Sequence, residues 1–171
     1  MAVLPVRIYG DAVLRQIARP VAEIDAAIHT LVKNMFATLR EQKGIGLAAP
    51  QVGLSTRLFV MDPTDVASVG QPTVLINPEI IGSHGETIYQ EGCLSFPGIY
   101  FDVCRPRHVG VRYFDLDGKE CTIEDDGILA RIILHEHDHL EGRLFVDTLN
   151  GQGRRTVEAA LREKGIISAQ L

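Results

Sequence analysis

His135, Glu136 and His139 are the residues whose types and spacing most directly spell out a reaction. Four residues of α-helix turn through about 400°, so His135 and His139 leave one face a single turn apart, where two imidazoles can share one metal ion. Glu136 sits about 100° further round, off the ligand line but within reach of water held by such an ion. A His-Glu-x-x-His run therefore points to metal-dependent hydrolysis of an amide, with the histidines as ligands and the carboxylate as base. His137 projects away from that face and reads as a surface or supporting group. Asp138 has two readings, orienting a ligand imidazole or being solvated.

Two histidines do not complete a catalytic centre, which takes three protein ligands and a water. The third has to come from Cys93, Cys104, Cys121, His29, His84, His108 or an acid, and spacing alone does not choose. Glu91-Gly92-Cys93-Leu94-Ser95 stands out because glycine beside a thiol lets backbone come close, and the segment runs from a strand into a Pro-Gly turn. Cys104 and Cys121 read as small buried or partly exposed thiols.

These side chains need elements to carry them. Asp125 or Asp126 can cap a helix through Ile128, Leu129, Ile132 and Ile133 to about Leu140, with Gly142 as its stop. Asp11 caps a short helix through Ile17, ended by Pro20. Asp25 caps a longer one to about Gln42, whose Ile28, Leu31, Val32, Met35, Phe36 and Leu39 form one buried face. The segment Gly44-Ile45-Gly46-Leu47-Ala48-Ala49-Pro50-Gln51 reads as a tight loop. Residues 58–61, 73–76 and 109–113 read as strands, and Asp115-Leu116-Asp117-Gly118 turns the last into a hairpin with 121–123. A final helix fits Arg154 to Lys164, with Val157, Ala160 and Leu161 as its stripe. The expected fold class is α+β: one domain over residues 1–171, antiparallel sheets around a central metal-binding helix, and a C-terminal helical extension over about 151–171.

Composition bounds the rest. With 171 residues and 46% hydrophobic content the chain suits one continuous core. A net charge of −5 argues against DNA and other general nucleic-acid binding, where affinity comes from Lys and Arg neutralising phosphates. The C-terminal stretch differs, for Arg154, Arg155, Arg162 and Lys164 outnumber Glu158 and Glu163 and leave a net +2 on a body that carries −7. No run reads as a secretion signal or a membrane span, and three cysteines suit a reducing compartment, so a cytoplasmic location is expected.

Taken together and in order, Gly44 to Gln51, Glu91 to Ser95 and His135 to Leu140 resemble the three signature motifs of peptide deformylases. The similarity runs from the Asp11-Ala12-Val13-Leu14-Arg15 entry to Leu144-Phe145-Val146-Asp147. It implies a compact α+β fold and removal of the formyl group from the N-terminal formyl-methionine of newly made proteins, with release of formate. It also implies Cys93, His135 and His139 as metal ligands, and so supplies the missing third. One divalent ion is implied, Fe²⁺ foremost, with Zn²⁺, Ni²⁺ or Co²⁺ able to replace it; the His₂Cys set itself suits zinc as well. Glu136 would take the proton from water and return it to the departing amine, while the Gln51 side-chain amide and the Leu94 backbone N–H meet the oxyanion.

N-formylmethionyl nascent peptides are the implied partners, lying beside Gly44 to Leu47 as an added strand. Gly44, Ile45, Gly46, Gly92, Ile128 and Ile132 are the candidate substrate-binding residues. The basic C-terminal helix is a candidate contact with ribosomal RNA. Leu134 stands where many relatives have Gln, and Tyr100 where some carry Arg, which changes packing and peptide preference but removes no catalytic group. Glu91 and Arg105 are a candidate ion pair. Two other readings compete: an ordinary metallopeptidase, opposed by the Gln51 and Cys93 segments, and a non-catalytic metal protein that merely binds nascent chains, opposed by the presence of a base at Glu136.

Overall fold

A computed structural model describes residues 1–65 and 70–167. The chain order is a 3-10 turn at Ala12–Arg15, helix α1 (Ala26–Glu41), strand β1 (Gly46–Ala48), a 3-10 turn at Ala49–Val52, then β2 (Leu58–Met61), β3 (Thr73–His84), β4 (Thr87–Gly92), β5 (Tyr100–Arg105), β6 (His108–Phe114) and β7 (Glu120–Asp125). Helix α2 (Ile128–Leu140), a 3-10 turn at Phe145–Thr148 and helix α3 (Gly151–Glu163) follow. Five strands form one antiparallel sheet in the order β1-β2-β3-β6-β7, and β4 and β5 form a separate two-stranded ribbon. Helices combined with antiparallel sheets are the expected α+β class, with α2 against the sheet and α3 at the C-terminal end.

Strand β2 shows how the sheet organises two cores. All four of its residues are buried, and alternation sends Leu58 and Val60 to one face and Phe59 and Met61 to the other. The first face packs on Val32, Met35 and Leu39 of α1. The second packs on Ala130, Ile132 and Ile133 of α2. A third cluster joins Leu14, Phe96, Val103, Phe145, Val157 and Leu161, which fastens the ribbon to α3 and the N-terminal segment. Burying each such Leu, Ile or Phe is worth about 1.5–3 kcal/mol, so the helices are held by their apolar faces more than by propensity.

Local signals explain most boundaries. Asp25 accepts from Ile28 N at 2.9 Å, as a cap should. Asp125, not Asp126, serves α2, accepting from Gly127 N at 2.7 Å and Ala130 N at 2.9 Å. The helix stops at Gly142, whose φ of +67° glycine tolerates and where a Cβ would meet Arg15 O at 2.7 Å.

Four expectations change. The first helix shortens to a 3-10 turn, with Asp11 accepting from Val13 N. Residues 46–52 form a strand and a 3-10 turn rather than a loop. Strand β3 runs well past 76, because Asn77, at φ +51°, bulges around Val21 and makes room for Pro78 within the strand. Helix α3 begins at Gly151 rather than Arg154, capped by Asn150, and Gly153 is small because a Cβ there would meet the Phe101 ring at 3.1 Å. The final four residues of the expected extension lie outside the described residues. Among the described residues no helix is long and apolar enough to cross a membrane.

Candidate functional site

A cavity of about 470 Å³ lies between β1, the turn after β4, and α2. Gly44, Ile45 and Gly46 form one lip, and Gly92, Cys93 and Leu94 face them. Ile128, Ile132, His135 and Glu136 line the α2 wall, because positions 128, 132 and 135 share one helical face. Gln51 completes the inner end. Every residue singled out from sequence as a site residue therefore borders this cavity except His139, which is fully buried just behind it. Tyr89 and Tyr100 stand exposed at its mouth.

Among the described residues, Cys93, His135 and His139 are the one group of three or more acidic, thiol or imidazole side chains whose donor atoms converge, all within 4.8 Å of one another. Cys93 Sγ is 3.3 Å from His139 Nε2. His135 donates from Nδ1 to Glu91 Oε2 at 2.8 Å; although burial would lower it, hydrogen bonds to Cys93 and Glu91 hold its pKa well above the ordinary imidazole value, so a metal ion at Nε2 would displace a proton. Burial, with the neighbouring His135 charge adding to it, holds His139 well below the ordinary imidazole pKa, so His139 offers a neutral donor. Two imidazoles and a thiol are a fitting set for Zn²⁺, Fe²⁺ or a similar divalent ion. The other candidates lie elsewhere. Cys104 is exposed on the ribbon, Cys121 lies on β7 against the core between the sheet and α2, His29 is on α1, and His84 and His108 stack on each other with ring centroids 4.4 Å apart.

Glu136 is buried beside this cluster, and its Oε2 has no hydrogen-bond partner. Burial, opposed mainly by the nearby His135 charge, raises its pKa to about 7, where a carboxyl group can both accept and release a proton near neutrality. Its other oxygen is accommodated only because residue 46 is glycine: a Cβ there would stand 2.3 Å from Oε1. Gln51, 1% exposed, accepts from Ala48 N at 2.8 Å through Oε1, which aims Nε2 at Ser95 Oγ (3.2 Å) and Cys93 Sγ (3.4 Å). An amide donor therefore points at the converging ligand atoms.

Behind the ligands lies a buried charge network. Arg105 donates to both oxygens of Glu91, at 2.6 and 3.0 Å, so the sequence-level ion pair forms. Asp138 does not orient an imidazole and is not simply solvated; it accepts from Arg105 at 2.6 Å and pairs with Arg143. The carboxylate that orients His135 is Glu91. His137 is half-buried against Arg57 and Glu141, away from the ligands as its helical position requires.

Arg131 escaped the sequence reading. It is 6% exposed and donates to Glu91 Oε1 at 2.8 Å. Its one sequence signal is a lone arginine in the apolar run of α2, one turn before His135, where a charge demands a buried partner.

The comparisons with known proteins agree with this geometry. Residues 3–155 match the family described as polypeptide deformylase. A peptide deformylase of Chlorobium luteolum is 44% identical over 161 residues, which span 93% of this chain and 85% of that protein. One from Clostridium botulinum is 48% identical over 147 residues, 86% of this chain and 97% of that protein. The crystal structure of a peptide deformylase from Legionella pneumophila superposes with a TM-score of 0.90 at 40% identity and covers 99% of both chains. With one family match over most of its length and relatives this similar in sequence and fold, the chain belongs to the peptide deformylase family.

Proposed function

We propose that this protein is a metal-dependent hydrolase that removes the formyl group from the N-terminal formyl-methionine of newly synthesised polypeptides. The observation that carries this reading is the convergence of Cys93, His135 and His139 within 4.8 Å, beside a buried carboxylate oxygen of Glu136 that has no partner. A closed structural metal site has four protein ligands and no use for such a group.

Cys93, His135 and His139 hold the divalent ion, for which Fe²⁺ is the proposed native occupant and Zn²⁺, Ni²⁺ or Co²⁺ are substitutes. When bound, the ion supplies Lewis acidity that acidifies water and polarises a carbonyl. Glu136 takes one proton from the attacking water as its oxygen bonds to the formyl carbon. The Gln51 amide and the Leu94 backbone N–H donate to the formyl oxygen as negative charge grows on it. Glu136 then passes its proton to the nitrogen as the C–N bond breaks, giving formate and a free amino terminus.

The methionine side chain is assigned to the apolar wall of Ile45, Ile128 and Ile132, and the following residues to the open lip at Gly44 and Gly46, opposite Gly92, where backbone can pair as an added strand. The exposed Arg155 and its basic neighbours on α3 are assigned to ribosomal RNA, and three free cysteines fit work in the reducing cytoplasm.

Anaerobic purification, metal analysis and a formate-release assay test the reading, because Fe²⁺ beside a thiolate is prone to oxidation. Formate is expected from formyl-methionyl peptides and no cleavage from their unformylated counterparts; cutting of internal peptide bonds would overturn it. Gly46→Ala probes the base. The added methyl displaces the Glu136 carboxylate, which is too enclosed to swing aside, and kcat/KM is expected to fall roughly 10²-fold in a folded protein. An unchanged rate would detach Glu136 from the chemistry.

A further inference from the structure

We infer that Arg131 is a positioning residue for the metal centre, joining the two separate elements that supply its ligands and setting their distance. This rests on the proposal that Cys93, His135 and His139 hold the ion.

The ligands have two origins. Cys93 immediately follows β4, so its place depends on the β4–β5 ribbon, whereas both histidines ride on α2. The ribbon is not part of the five-stranded sheet, so no strand hydrogen bond ties it to the elements that hold α2. Two-residue links to β3 and β6 tether its base, and its tilt against α2 is left to side chains. Glu91 and Arg105 are both ribbon residues, so their pairing stiffens the ribbon without attaching it to the helix.

Three residues of α2 reach across: Arg131, His135 and Asp138, spaced so that all leave one face. His135 touches Glu91 and Asp138 touches Arg105, each through side chains alone. Arg131 also grips backbone. It donates from one nitrogen to Glu91 Oε1 (2.8 Å) and Val103 O (3.1 Å), and from the other to Thr87 O (2.9 Å). Thr87 lies on β4 and Val103 on β5, so one guanidinium fork spans both strands and the carboxylate that orients His135. A planar fork can do this; a single ammonium cannot reach three separated acceptors in fixed directions. Its stem also borders the substrate cavity, so the clamp adjoins the methionine wall.

The test is Co²⁺ titration of the metal-stripped full-length protein, following the Cys93 thiolate-to-cobalt charge-transfer band well below the melting temperature. Arg131→Met keeps the stem's bulk and loses all three bonds. It is expected to bind Co²⁺ about 10–100-fold more weakly, with an altered band, as changes to ligand-orienting partners do. Arg131→Lys restores the charge but only part of the geometry, and is expected to fall between. A residue that merely adds stability would lower the melting temperature while leaving affinity and band in the folded protein as in the wild type. That result in Arg131→Met overturns the inference. If Arg131→Met does not fold, Arg131→Lys decides, and wild-type affinity with a wild-type band overturns it. Formate release by the wild type is scored separately. Activity with undisturbed Co²⁺ binding in the variants sinks this inference alone, whereas weakened Co²⁺ binding with no formate from the wild type sinks the proposed reaction alone.

Discussion

Glu136→Gln is expected to lower formate release by roughly 10²–10⁴-fold, the usual worth of a positioned general base, while the protein keeps its full complement of metal. The substitution leaves every proposed ligand atom in place and nearly preserves volume, so what disappears is the ability to accept a proton. Formate release per bound metal ion, with metal content measured on the same sample, reads this directly. Near wild-type turnover with metal retained would remove Glu136 from the mechanism.

The same substitution has an opposite effect on folding. Burial raises the folded Glu136 pKa from its ordinary 4.5 to about 7, so the folded chain binds this proton more tightly than the unfolded chain does. For a carboxyl shifted upward the contribution to stability is complete below about 4.5 and declines as pH rises through 7, above which the cost is about 3 kcal/mol. Glutamine never ionises. Metal-stripped Glu136→Gln is therefore expected to resist urea better than the metal-stripped wild type at pH 8, with the gap narrowing toward pH 4. A variant less stable than wild type at pH 8 would mean that the buried carboxylate is not the burden its unpartnered oxygen implies. The fold tolerates a poorly solvated acid here, and that acid is the group proposed as the base.

How much of this was legible in the sequence follows from which interactions are local. The His135 to His139 turn, the Asp25 cap and the buried face of α1 depend on residues within a few positions of one another, and they appear as read. Strand β2 is a short apolar run bounded by polar residues, which is how a strand packed on both faces looks. Of the β4–β5 ribbon only the strand leading into Cys93 was legible, and the rest was hidden for the opposite reason. Its inward positions include Glu91 and Arg105, a candidate pair in the sequence whose charges break the apolar alternation that marks a half-buried strand. Arg131 was missed likewise, since its partner is 40 positions away. No period of apolar residues reveals charges that are buried because they are paired. The third ligand was open on spacing alone, for Cys93 meets the histidines only through the docking of the ribbon on α2, and it was the resemblance that singled it out.

Glu91 should therefore be the most costly acid in the molecule to remove. Burial alone would raise its pKa, but hydrogen bonds from His135 and Arg105 outweigh that and hold it near 2, against an ordinary 4.5. Because the folded value is depressed, the stabilisation is complete above about 4.5 and drains away as pH falls toward 2, for a total of about 3 kcal/mol. Glu91→Gln forfeits this and leaves the Arg131 charge facing neutral carbonyl oxygens in place of the carboxylate. Breaking a buried ion cluster from one side costs about 3–5 kcal/mol, so urea denaturation of the metal-stripped proteins at pH 7 should show a loss of that size. The gap between wild type and variant should narrow as the medium is acidified from about pH 4.5 toward 2, where the unfolded wild type takes up this proton before the folded protein does. Metal affinity should fall with it, about 10–100-fold, because His135 exchanges an anionic acceptor for a weaker neutral amide oxygen. A variant as stable as the wild type at pH 7, or a gap that does not shrink in acid, would show that the charge at Glu91 is not what joins the ribbon to α2. In that case the meeting of Cys93 with the two histidines would have to rest on the bonds from Arg131 to Thr87 O and Val103 O and on the Arg105–Asp138 pair.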